Sequence, residues 1–93
     1  MIDRDKIDID IIAFEISIDS YILKASHLKE PKGEALIEII KDGVIIKEFL
    51  FPAYKIWNIA AHGTDIVKGL EDGNDSGLYI AGSTGFGGNI YNP

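Results

Sequence analysis

The sequence predicts an α+β fold, a small antiparallel sheet of four or five strands packed against one main helix near 53–70. Three observations lead there: an isoleucine-rich run of period two at residues 7–18, two apolar segments flanking Asp42-Gly43, and a change to helical spacing after Pro52. The 93 residues are 46% apolar and 26% charged. That is too apolar for disorder and too short for two cores, so a single domain over 1–93 is expected. A chain this size buries about 60–65% of its unfolded surface, which makes the core small and the stability modest or shared with a partner.

The first strand, IDIDIIAFEISI, changes phase. Ile7, Ile9 and Ile11 occupy one face, then Ile12, Phe14, Ile16 and Ile18 the other, which requires a bulge, a tight turn or cover on both sides. Tyr21-Ile22-Leu23 continues this element or begins a further strand at 20–26. HLKEPKG, residues 27–33, reads as a loop because Pro31 removes a donor and Gly33 relaxes the backbone.

The segment 34–51, EALIEIIKDGVIIKEFLF, reads as a hairpin, with Asp42-Gly43 forming the two-residue turn that positive φ favours. Setting Lys41 opposite Val44 then pairs Ile39 with Ile46, Ala35 with Leu50 and Glu38 with Lys47. The last pair is an opposite-charge contact worth about 0.2–1 kcal/mol. A helix over EALIEIIK is the competing reading, but three isoleucines in residues 37–40 favour a strand.

After Pro52, residues Ile56, Ile59, Ala60, Gly63, Ile66, Val67 and Leu70 recur at helical spacing. Glu71-Asp72-Gly73-Asn74 stops this helix. Gly63 weakens its middle by about 1 kcal/mol against alanine and offers a break at which Thr64 or Asp65 caps a second piece. LYIA reads as a short final strand near 77–82, followed by a glycine-rich tail.

Charge and composition exclude several functions. The net charge is −6, and the six lysines of residues 24–55 alternate with five acids. A nucleic-acid surface needs a basic stripe, so no nucleic-acid partner is expected. No run reaches the roughly 18 apolar residues of a membrane helix, and MIDRDKIDIDII has no apolar stretch behind a basic head. No membrane association is expected, and a cytoplasmic location is the default. Cysteine is absent, which leaves the histidines and carboxylates as the metal-ligand types.

Four stretches carry site chemistry. GSTGFGG, residues 82–88, lacks the lysine and following helix of a phosphate loop. Its glycines shape an irregular terminal segment with Phe86 and Tyr91 packed back, or a backbone rim donating N–H groups to an anion, a peptide or a partner. In DGNDSG, Asp72, Asn74 and Ser76 fall at alternating positions before Gly77, as in a calcium loop. Ser83 stands where that loop needs its bidentate glutamate, so a plain turn is preferred over a calcium site.

His62 and Asp65, three residues apart, would share a helical surface as a base and its orienter or as metal ligands. A helix-terminal histidine is the preferred reading. Tyr54 and Trp57 are core-edge residues or an aromatic anchor for a partner, toward which the acidic head Asp3–Asp10 would steer a basic protein. The expected function is a non-catalytic binding or accessory protein without a cofactor, acting through a protein partner or homo-oligomer. Partner contacts are expected at Tyr54, Trp57, Phe86 and Tyr91. The alternative is a small ligand-binding protein or enzyme using His62 and Asp65 near the glycine-rich rim.

Overall fold

The computed structural model describes residues 2–83. Four strands, β1 Asp8–Ile18, β2 Tyr21–Glu30, β3 Glu34–Lys41 and β4 Val44–Pro52, precede three helices, α1 Trp57–Ala61, α2 Gly63–Glu71 and α3 Ser76–Ser83. Single 3-10 turns lie at Arg4–Lys6 and Ala53–Lys55. All strands join one antiparallel sheet in the order β1-β2-β3-β4. The fold is therefore α+β, as the alternation and its change of period predict. The sheet lies in a compact unit of residues 1–56, and the helices lie in a second beginning at Trp57.

The phase change in β1 is resolved by bulges. Phe14, Ile16 and Ile18 pair with Ala25, Leu23 and Tyr21, but the register shifts between Ile9 and Ile12 and again between Ile12 and Phe14. Extra residues on the bulged strand let a sequence of two phases remain one strand. The cost falls on the N-terminal half, where Ile9, Ile11 and Ile12 stay exposed.

β2 runs further than the sequence suggests. His27 and Leu28 belong to the strand, paired with Ala35 and Ile9, and Leu28 is buried. Strand neighbours on both sides outweigh the loop signal until Pro31 ends the ladder. β3 lies between β2 and β4, and its residues Ala35–Ile39 are buried on both faces. The near-continuous apolar run ALIEII follows from that double cover, with Glu38 the one charge within it.

The hairpin turn forms as expected: Asp42 and Gly43 have φ of 52° and 80°, the two positive values of a type I′ turn. Lys41 faces Val44, but a register shift between Ile39 and Ile40 leaves Ile46 as an extra residue. Beyond it every expected pair moves by one: Ile39 faces Lys47, Ala35 faces Phe51, and Glu38 faces Glu48. Without the bulge, Glu48 would sit opposite the fully buried Ile37. With it, Phe49 and Phe51 take the face of Ile37 and Ala35, their rings edge to face at 6.2 Å. The gain in apolar pairing leaves two glutamates side by side.

The long helix expected near 53–70 is broken. A 3-10 turn covers Ala53–Lys55, α1 ends at Ala61, and α2 restarts at Gly63 from His62, whose φ and ψ are −107° and 21°. His62 occupies the capping position without a side-chain bond, so neither Thr64 nor Asp65 caps. The buried stripe of α2 is Gly63, Ile66, Val67 and Gly69.

The expected strand at 77–82 is instead helix α3. Its β-favouring Tyr79 and Ile80 are exposed, while Gly77 and Ala81, one turn apart, are buried. A Cβ on Gly77 would fall on the carbonyl of Asp65 and the nitrogen of Ile66, so the α3 backbone lies directly against that of α2. Asn58 on α1 donates from Nδ2 to the Ala81 carbonyl at 3.1 Å. Tertiary contact through small residues overrides the local strand preference.

Candidate functional site

The most organised polar cluster lies on the sheet unit, and it arises from the register shift. Directly opposed like charges destabilise a sheet, and the pair Glu38–Glu48 is relieved by Arg4, the chain's one arginine. Its Nη2 donates to Glu38 Oε2 at 3.0 Å and to Glu48 Oε1 at 2.6 Å. The Ile2 N–H also donates to Glu48 Oε2, at 3.3 Å. The glutamate side chains are 9% and 13% exposed, whereas Arg4 is 43% exposed. The hydrogen bond to Glu38 is the largest influence and raises the guanidinium above its ordinary value; burial opposes it, and the bond to Glu48 and the charges of both glutamates add to the rise.

Asp3 sets this arginine in place. Its carboxylate accepts from the Asp5 N–H at 3.1 Å, capping the 3-10 turn that projects Arg4. Across the sheet, Glu38 also faces Lys24, which faces Glu15 on β1. Charge thus alternates across three strands before the Glu38–Glu48 repeat that needs Arg4.

Beside the cluster is an open groove of about 490 Å³ lined by Ile2, Arg4, Ile45, Ile46, Lys47 and Glu48. Val44, Ile45 and Ile46 on edge strand β4 are 61%, 45% and 47% exposed. An apolar strip ending at a carboxylate pair can take an extended segment with aliphatic and basic side chains.

Tyr54 and Trp57 are 67% and 57% exposed, so neither is an internal core residue. In the sheet unit, Lys55 Nζ lies 5.8 Å from the Tyr54 ring centroid and 5.9 Å from that of Phe51, within cation–π range. Trp57 opens α1 in the helical unit.

His62 and Asp65 are brought together, with Nδ1 and Oδ2 3.7 Å apart, but Asp65 is 60% exposed. That separation exceeds a hydrogen bond, and the groove described above contains neither residue. In the loop after α2, Asn74 Oδ1 accepts from the Ser76 N–H at 3.0 Å and from its hydroxyl at 2.8 Å. Two of the expected calcium oxygens thus bond one another as an Asx turn that starts α3. Among the described residues no three His, Asp or Glu side chains converge as metal ligands. No helix among them is long and apolar enough to cross a membrane.

Phe86, Tyr91 and the glycine-rich rim beyond Ser83 lie outside the described residues. The pairing of Glu38 with Glu48, and so the place of Arg4, is not visible in the sequence because the bulge at Ile46 shifts the register. A lone charge inside ALIEII was the available signal, since a buried carboxylate demands a partner. Comparison with protein-family models, with characterised proteins and with solved structures finds no match, so the functional reading rests on this chain's own residues.

Proposed function

We propose that the protein is a non-catalytic binding module acting through protein–protein contacts, with edge strand β4 as its principal contact surface. The observation that carries this reading is the exposed run Val44, Ile45 and Ile46 on an edge strand, beside a groove with polar groups at its end. Natural edge strands are normally blunted by charge or cover, and large exposed apolar side chains there mark association surfaces. Exposed Tyr54 and Trp57 add support separately, because aromatic side chains dominate binding hot spots. Exposed Asp3, Asp5, Asp8 and Asp10 favour approach by a basic partner.

The test compares wild type with Ile45→Lys, Tyr54→Ala and Trp57→Ala by affinity capture and light scattering, after melting curves establish folding. The expected outcome is a partner, or a dimer, that Ile45→Lys abolishes and the aromatic variants weaken. A wild-type monomer capturing nothing that these variants lose would overturn the reading.

A further inference from the structure

We propose that residues Ile2–Lys6 form a displaceable strap, an internal stand-in for a partner segment that carries an arginine two residues after an aliphatic side chain. This deepens the binding reading above and rests on it. The strap's 3-10 turn buries none of its residues. Its polar hold on the sheet includes the Arg4 bonds to Glu38 and Glu48 and the Ile2 N–H bond to Glu48. Ile2 and Arg4 form one side of the groove, and Ile45, Ile46, Lys47 and Glu48 form the rest. Ordinary burial therefore anchors the strap weakly, while two nearly buried carboxylates require a cation wherever it comes from.

The pattern Ile-x-Arg is what the site recognises. One guanidinium nitrogen, Nη2, bridges two carboxylates on neighbouring strands, so the site calls for a cationic donor at that point, and arginine supplies one that stays charged. The aliphatic residue two positions earlier lines the same groove as Ile45 and Ile46. A partner segment with the same pattern replaces these contacts, and exposed Asp8 and Asp10, outside the strap, attract it. Binding is attenuated in the resting chain because the competent, strap-open form is a minor population.

The experiment uses the full chain and a labelled peptide, IDRDKI, with a control in which the peptide's arginine is alanine. Arg4→Ala, which frees the carboxylate pair, is expected to bind IDRDKI at least about tenfold more tightly than wild type. The control peptide is expected to bind neither protein, and Glu38→Gln added to Arg4→Ala to weaken binding by about tenfold. Equal affinity of both proteins, or equal binding of both peptides, overturns the proposal.

Should Arg4→Ala not fold, hydrogen exchange on wild type decides. Excess IDRDKI should accelerate exchange of the Lys6 amide, which bonds the Asp3 carbonyl at 3.0 Å, and the control peptide should not. Equal exchange with both peptides overturns the proposal. If IDRDKI binds while Ile45→Lys leaves partner capture intact, the binding reading fails alone. If Ile45→Lys abolishes capture but IDRDKI does not bind, the strap fails alone.

Discussion

Gly77→Ala isolates the contact that makes α3 a helix. A methyl at Gly77 falls on the carbon and oxygen of the Asp65 carbonyl and on the nitrogen of Ile66. All three are backbone atoms of α2, so no side chain can rotate away. The variant must push α3 off α2 or distort a helical turn. Overpacking costs about 1–3 kcal/mol, and an unyielding backbone places the cost near the upper end. Alanine's better helix propensity returns about 1 kcal/mol. The net loss is about 2 kcal/mol, or a fall in melting temperature of roughly 10 °C for a chain this long.

Urea denaturation followed by circular dichroism and by Trp57 fluorescence measures this loss, with Tyr79→Ala as control. Tyr79 lies on the same helix but is 76% exposed, so its removal should stay within about 0.5 kcal/mol. If Gly77→Ala is as stable as wild type, or more so, the close helix contact is refuted and propensity alone governs α3.

Further outcomes follow from the polar groups. Arg4→Ala should cost about 1 kcal/mol, the worth of a charge-assisted bond discounted for Arg4's exposure; Glu48→Gln in that background should restore part of it, read as non-additivity in a double-mutant cycle. Because the Arg4 pKa is raised, its stabilisation is fully present below the ordinary arginine value and lost only above the raised one. The melting difference between wild type and Arg4→Ala should therefore vary little with Arg4 ionisation from about pH 7 to 9. Asn74→Ala should lose about 1 kcal/mol with the Asx turn and Asn74→Asp less, while millimolar calcium should leave the wild-type melting temperature unchanged; a rise would favour the calcium reading of Asp72, Asn74 and Ser76. His62→Ala should shift stability by under about 0.5 kcal/mol, since its carboxylate partner is largely solvated.

Local chemistry made the sheet legible. The Asp42-Gly43 turn, the phase change before Phe14 and the apolar density of residues 35–40 each follow from neighbours in sequence, and each appears as expected. What stayed hidden depends on residues far apart. Nothing between Lys41 and Leu50 announces that Ile46 is an extra residue, and the reason for it, Phe49 and Phe51 seeking the face of Ile37, exists only across the paired strands. Tyr and Ile favour a strand at LYIA; its helical state follows from Gly77 and Ala81 sharing a buried stripe against other helices. The Arg4 cluster combines both difficulties, joining positions 34 and 44 residues apart through a register the sequence does not spell out.

The extra residue at Ile46 also bears on what this hairpin can tolerate. Deleting it preserves every neighbouring pair, from Lys41 with Val44 to Ile39 with Lys47, so a chain one residue shorter can keep the same fold. The shortened edge would be flatter, and a flat apolar edge invites copy after copy to zip onto it. Deleting Ile46 is therefore expected to leave the fold intact and to raise the rate of aggregation, read by light scattering.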